Sequence, residues 1–429
     1  MAAHEAGADM LEMYQEQARR YAARLAAGRI GMDAGGFSYR TGEVIVRWDE
    51  DNRRRVAEVV KGADPTGTMA GYARIAVDDA RSTLAALRSA GADAAFNHVF
   101  FANPQYLGNP QYLGNPQYLG NPQYLGNPQY LGNPQVNSAV PAARPGPYEK
   151  PSKCDRRPVV AVLDSGLQTR DGLPRHPWLV DHVVVQSNWS SGDDVASPVD
   201  EDMTDVDGDG MLDRIAGHGT FIAGIVRRLA PEAEIHVEGV LSSFGEGDDF
   251  EIAAGIQQLV DRVEPDIVNL SLGGHTDDDQ PPPVLSAVLR ALTDKGVVVV
   301  ASAGNDATCR RTWPAALPDV IGVAALECVD RAWFSNYGPW VDACAPGVDV
   351  HSTFVFFDGS AVEVNGVDID RYEGFATWSG TSFAAPKVAS AIAREMTRAD
   401  VDARQAADTL VHQHGLFRIP DLGTVVNLL

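Results

Sequence analysis

The hexapeptide Asn-Pro-Gln-Tyr-Leu-Gly occurs five times in tandem between residues 103 and 132 and runs on into Asn133-Pro134-Gln135-Val136. A proline every six residues breaks helices and strand ladders alike, and each Gly-Asn-Pro junction favours a turn. The segment has no charge and no regular buried face, so it reads as an extended connector rather than a stacked solenoid. Its Tyr-Leu pairs are also candidate docking or cleavage sites. With the Pro-rich continuation to Pro151, and at about 3.1 Å per residue if extended, it could cross a whole domain. A chain of 429 residues cut in this way leaves room for a folded unit on each side. The expected boundaries are a helical segment at 1–36, a small α+β unit at 37–102, the linker at 103–153 and a larger unit at 154–429.

On the first side, Ala8 to Ala27 is rich in Ala, Glu, Gln, Arg and Leu, which favours a helix ended by Gly28. Strand-like runs at Gly42 to Trp48, Tyr72 to Val77 and His98 to Phe101 alternate with helix-like runs at Asn52 to Val60 and Ala80 to Ala90. That order predicts a small α+β fold. Beyond Pro158, apolar runs at Val159 to Leu163, Ile235 to Leu241, Ile267 to Leu270, Val297 to Ala301 and Val320 to Ala324 alternate with helical stretches. This is the texture of an α/β unit with a parallel sheet, whose site belongs at the carboxyl ends of the strands.

Composition narrows the partners. With 35 Lys and Arg against 58 Asp and Glu, the net charge is −23, which argues against nucleic acid and suits bound cations. No apolar run approaches the roughly 20 residues that span a bilayer, so no membrane segment is expected. The start Met1-Ala2-Ala3-His4-Glu5 lacks the basic and apolar regions of a secretory signal. A cytoplasmic location is the resulting expectation, with export by a signal-independent route as the alternative. Cys154, Cys309, Cys328 and Cys344 are too scattered for a zinc site and read as small buried hydrophobes. A Cys309–Cys328 disulfide stays open if the chain is exported.

Three motifs carry chemistry. Val159 to Gly166 is a buried strand ending in Asp164, a carboxylate placed to accept a bond from an imidazole and hold its tautomer. Gly217-His218-Gly219-Thr220 sets a histidine between glycines at the start of a helical stretch; flanking glycines pack a core histidine poorly and leave an imidazole approachable. Gly380-Thr381-Ser382-Phe383-Ala384-Ala385-Pro386 places a serine at the head of a helix, where unpaired N–H groups can meet a developing oxyanion. Alone, Ser382 could be a plain helix cap; its partners decide otherwise.

Together the three motifs, in the order Asp, His, Ser over Val159 to Ala393, resemble the subtilisin-like serine proteases. The resemblance implies a subtilisin-like parallel-sheet catalytic domain with helices on both faces. It also implies peptide-bond hydrolysis by Ser382, His218 and Asp164, with no cofactor needed for the chemistry. The stretch Ala301 to Asp306, through Gly304, looks like the family's oxyanion segment, with Asn305 as donor. Gly245-Glu246-Gly247 and Ser271-Leu272-Gly273 look like its two backbone edges for an extended protein or peptide substrate. Asp306 and Thr312 would rim the pocket for the residue before the scissile bond; Asp306 either favours a basic residue there or is a solvated acid. Because a base must be neutral to act, activity is expected at neutral or alkaline pH. The His and Asn motifs also set the chain apart from related acid-acting peptidases that use Glu and Asp at those places.

Two further expectations remain. Asp205, Asp207, Asp209 and Asp213 alternate around Gly210 like the start of a calcium loop, but Ala216 stands where a closing acid belongs. They form a site for a structural calcium ion or a solvated acidic loop. The first unit resembles the family's ferredoxin-like inhibitory propeptides, whose last strand, here Asn97 to Asn103, would enter the cleft and make the N-terminal domain an intramolecular inhibitor. A linker this long departs from the usual short junction. A regulatory protein with an intact but permanently covered triad is the alternative to an enzyme in waiting.

Overall fold

The computed structural model describes residues 25–102, 157–180, 202–208, 210–359 and 371–426, with residues 19, 22–23, 135–136, 183–185, 363–364 and 367–368. Most of the expected first helix, Cys154 and nearly all of the repeats lie outside the described residues.

The N-terminal unit is built from strands β1 (Ile30–Met32) and β2 (Ser38–Arg47), helix α1 (Glu50–Val59), strands β3 (Pro65–Met69) and β4 (Tyr72–Ala76), helix α2 (Ala80–Ser89) and strand β5 (Ala94–Ala102). Both helices start on aspartates: Asp49 accepts from Asn52 N at 2.9 Å and Asp79 from Ser82 N at 2.7 Å, satisfying donors that a helix leaves open. Their apolar faces bury Val56, Leu84 and Leu87 against Val44, Val46, Ile75 and Phe96 of the sheet. The antiparallel order is β5-β2-β4-β3, with β1 on β2. Sequence periodicity misses β3, whose residues Pro65 to Met69 are short, polar and led by proline; such a strand is tolerable only at an edge, where it lies.

Inside the expected linker lies strand β6 (Gln135–Val136), and it precedes β7 (Val159–Asp164), β8 (Val183–Val185), α3 (His218–Leu229), β9 (Glu234–Gly239), β10 (Glu246–Asp248), α4 (Asp249–Val260), β11 (Ile267–Leu270) and β12 (Leu272–Gly273). Next come α5 (Pro283–Asp294), β13 (Val298–Ser302), β14 (Val320–Glu327), β15 (Ala343–Pro346), β16 (Val350–Phe357), β17 (Tyr372–Trp378), α6 (Thr381–Ala399) and β18 (Gly423–Val425). The main sheet runs β8-β9-β7-β11-β13-β14-β15-β18 with parallel pairing throughout this path.

The central strands β7, β11 and β13 are covered on both faces, and alternation sorts their residues. Val160 and Val162 join the core with Phe221, Ile225, Phe383 and Ile392 of α3 and α6, whereas Ala161 and Leu163 join the one with Ile252, Ile256, Leu285 and Leu289 of α4 and α5. Burial on two faces is why these strands read as unbroken apolar runs. From β7 the chain moves to β9 on one side and later to β11 on the other, which opens a crevice at the carboxyl end of β7. Strands β16 and β17 form a smaller antiparallel sheet, and β6 pairs with β17 through Gln135–Thr377 and Val136–Ala376.

The two units share a sheet. Strand β5 lies between β10 and β12, antiparallel to both, with Phe100 opposite Gly247, Phe101 opposite Glu246 and Gly273, and Ala102 opposite Leu272.

Candidate active site

Asp164 is the last residue of β7 and His218 the first of α3, and both are fully buried. Imidazole Nδ1 lies 2.6 Å from Asp164 Oδ1, which also accepts from Ser165 N at 2.8 Å. That contact sets Nδ1 as the protonated nitrogen and leaves Nε2 as the basic one. Nε2 is buried with no hydrogen-bond partner among the described residues. The ring is boxed by Trp378 at 5.5 Å and Phe383 at 5.4 Å, centroid to centroid. The glycine after the histidine has a steric cause, because a Cβ on Gly219 would run into the carbonyl oxygen of Gly166.

Ser382 is the second residue of α6, so its backbone N–H belongs to the first turn, where no intrahelical acceptor exists. Its Oγ donates to Ser271 O at 3.1 Å rather than to the imidazole, and Ser271 Oγ returns a bond to Ser382 O at 2.8 Å. Asn305 follows β13 on the far side of the serine. Its Oδ1 accepts from Thr381 N at 3.0 Å and Thr381 Oγ1 at 2.9 Å, which ties the oxygen side of the amide to the residue before the serine.

Asp202 carries no motif, yet it is buried and joins the two halves of the acid–histidine pair. Oδ1 accepts from Ser165 Oγ at 3.1 Å, and Oδ2 accepts from Thr220 Oγ1 at 3.0 Å and Thr220 N at 3.3 Å. With Ser165 Oγ accepting from Gly219 N at 2.9 Å, these side chains cap the helix that begins with His218. Burial pushes the Asp202 carboxyl up to about 8. Asp202 lies sixteen positions before His218, so only the fold could reveal the link.

Of the residues expected to hold a substrate, Gly245, Glu246, Gly247, Leu272 and Gly273 flank strand β5. Ala102 N donates to Gly245 O at 3.0 Å, Glu246 and Gly247 belong to β10, and Leu272 and Gly273 belong to β12. The N-terminal unit's own strand fills the space, and Phe100 is fully buried in one cluster with Leu241, Ile252 and Leu272. Thr312 is buried, its Oγ1 accepting from Asn336 Nδ2 at 3.0 Å. Asp306 is exposed, with Oδ2 3.7 Å from His275 Nε2.

Charge reinforces the docking. Arg40 reaches Asp248 at 2.8 Å and Glu251 at 3.0 Å, Arg88 reaches Asp277 at 2.9 Å, and Arg310 donates to Gly35 O at 2.6 Å. One guanidinium between two carboxylates favours one of them. Burial works against an ionised Asp248, but Arg40 outweighs it and holds that group low, whereas burial and the Asp248 charge push Glu251 up to about 8. Burial also opposes ionisation of Asp277, and the bonds from His98 and Arg88 override it, holding the carboxyl at about 2.

In the acidic loop, carboxylate oxygens of Asp205, Asp207 and Asp213 lie within 4.8 Å of one another. Asp209 is outside the described residues. Three hard oxygen donors at that spacing fit a calcium ion. Cys309 and Cys328 are exposed free thiols and Cys344 is buried. No helix of the described residues is long and apolar enough to cross a membrane.

A parallel α/β sheet with an acid–imidazole pair and a helix-borne serine at its switch point defines a class of hydrolase architecture, and comparison with known proteins gives the family. Residues 155–419 match the family model for the subtilase family. Over 222 residues the chain is 35% identical to a thermophilic serine proteinase of Bacillus sp. strain AK1, covering 48% of this chain and 49% of that protein. Over 244 residues it is 33% identical to Subtilisin Savinase of Lederbergia lenta, covering 54% and 74%. The chain thus belongs to the subtilase family of subtilisin-like serine proteases. The match to the Bacillus proteinase spans about half of that relative's length. The crystal structure of fervidolysin from Fervidobacterium pennivorans, described as a keratinolytic enzyme related to subtilisin, shares the fold with a TM-score of 0.60 at 19% identity, over 93% of this chain and 61% of that one.

Proposed function

We propose that this chain is a serine endopeptidase held in check by its own N-terminal unit. The observation that carries the reading is the buried Asp164–His218 contact at 2.6 Å, set beside a serine whose neighbour Thr381 anchors Asn305. Ser382 Oγ attacks the carbonyl of an extended peptide while His218 Nε2 takes its proton. Asp164 keeps the ring oriented and stabilises the imidazolium. The tetrahedral oxyanion is met by Asn305 Nδ2 and the Ser382 N–H. His218 then protonates the leaving amine, and water releases the acyl group by the same steps in reverse. Before attack, Ser382 must rotate away from Ser271 O.

The inhibitory reading rests on β5, which occupies both backbone edges as a substrate strand would. Asp205, Asp207 and Asp213 would hold a structural calcium ion that orders the loop leading to His218; the ion takes no part in the chemistry.

The test is fluorophosphonate labelling with intact mass, comparing wild type with Ser382→Ala. Labelling of wild type alone, with shortening inside the linker, is the expected result. A chain that stays whole and unlabelled with calcium present would favour the permanently covered, regulatory alternative.

A further inference from the structure

One buried side chain is saturated by a single loop of the site. Asn336 is fully buried. Its Nδ2 donates to Ala303 O and Thr312 Oγ1, each at 3.0 Å. Its Oδ1 accepts from Asp306 N at 2.8 Å and Thr308 N at 3.2 Å. Two donors and two lone pairs are the full capacity of an amide, and all four go to residues 303–312. Its backbone N donates to Gly304 O at 2.9 Å. The fit is close: Gly304 has φ +99°, and a Cβ there would collide with Asn336 Nδ2.

The gripped residues include the two neighbours of Asn305 in sequence, Gly304 and Asp306, together with Ala303, Thr308 and the pocket residue Thr312. Asn305 is therefore held from two directions, by Thr381 on its side chain and by Asn336 through the backbone on either side. We propose that Asn336 is a positioning residue that sets the oxyanion donor Asn305 against Ser382 and the depth of the pocket at Thr312; the proposal rests on the peptidase reading above. Asn336 is too deeply buried to touch a substrate, so it acts through these neighbours. A reacting group displaced by about 1 Å can cost about 10²-fold in rate, which is the scale on which a loosened loop would be felt.

The test is a double-mutant cycle on the self-processed protein, with turnover of a peptide anilide and the rate of fluorophosphonate labelling as readouts. Asn336→Ala should lower kcat roughly 10- to 100-fold with a smaller change in KM. In an Asn305→Ala background the same substitution should cost less than about threefold, because the donor it places is gone. Asn336→Ser keeps a small hydrogen-bonding group and provides a second variant if the alanine protein folds poorly; it should fall between the two. Losses that multiply in the double mutant, or a lowered melting temperature with unchanged kcat, would overturn the proposal. Failure of wild type itself to label would sink the peptidase reading, and this one with it.

Discussion

The strands on either side of the cleft are held by different physics. Within the larger unit, β7 and β11 are covered on both faces by aliphatic side chains, so no strand can leave without opening a core. Strand β5 is also a full member of a sheet, but what fastens it to β10 and β12 is backbone pairing, the buried ring of Phe100, the charges of Arg40 and Arg88, and the contact of buried His98 with Asp277. The core of its own unit, around Val44, Ile75 and Phe96, lies in a separate cluster. Withdrawing it would uncover Ile45, Phe100 and Ala102 and the Leu241, Ile252 and Leu272 they pack against, while the cluster around Val44 would stay closed.

The largest expected effect sharpens that contrast. Ser382→Ala should lower turnover by about 10⁶, the scale known for subtilisin itself, while leaving hydrogen exchange of the β5 amides unchanged. Loss of β5 protection in that variant would show that the serine also fastens the strand. Next comes Phe100→Ala. Emptying a fully buried aromatic site costs about 3–5 kcal/mol, here taken largely from the docking, so labelling of Ser382 in the unprocessed chain should accelerate by at least about 100-fold. Unchanged labelling would mean that apolar burial does not fasten β5.

Arg40→Ala removes a partly exposed guanidinium from Asp248 and Glu251, and a smaller release, on the order of 10-fold, is expected in the same assay from the lost charged hydrogen bonds. The acids nearby add a pH dependence. Glu251 is raised from its ordinary 4.5 to about 8 in the folded chain, by burial and by Asp248 of its own unit against the pull of Arg40 and Arg74, so folding takes up a proton between those values and the stability this group contributes is lost as pH climbs through them. Resistance of the Ser382→Ala chain to denaturant should thus fall between pH 6 and pH 8, and fall less in an added Glu251→Gln variant; equal falls in both would remove Glu251 as the cause. The smallest effect belongs to Arg54, whose pairs with Glu50 and Asp51 are exposed. Arg54→Ala should shift stability by less than about 0.5 kcal/mol and leave labelling alone, and any large change would point to an unsuspected role for α1.

Much of this molecule is legible in local sequence. Asp164, His218, Ser382 and Asn305 each stand in a string whose neighbours serve the same end: an apolar strand before the acid, glycines around the histidine, small residues after the serine. The parallel sheet announces itself through apolar runs because two-sided burial demands them. Other features left no such trace. β3 is polar because it is an edge, Asp202 reaches Thr220 from 18 positions away, and Asn336 reaches Ala303 across 33. The acidic loop shows its carboxylates in sequence, but their convergence on one point is a property of the folded loop.

The sequence by itself determined which residues can do chemistry and which segments can be strands or helices, because periodicity and the preferences of glycine, proline and small residues act within a few positions. Only the tertiary structure decided that β5 fills the slot between β10 and β12, that the serine hydroxyl turns toward Ser271, and that Asn336 underpins Asn305. These depend on hydrogen bonds and strand pairings whose partners lie tens to more than a hundred residues apart, and such contacts have no local pattern to read.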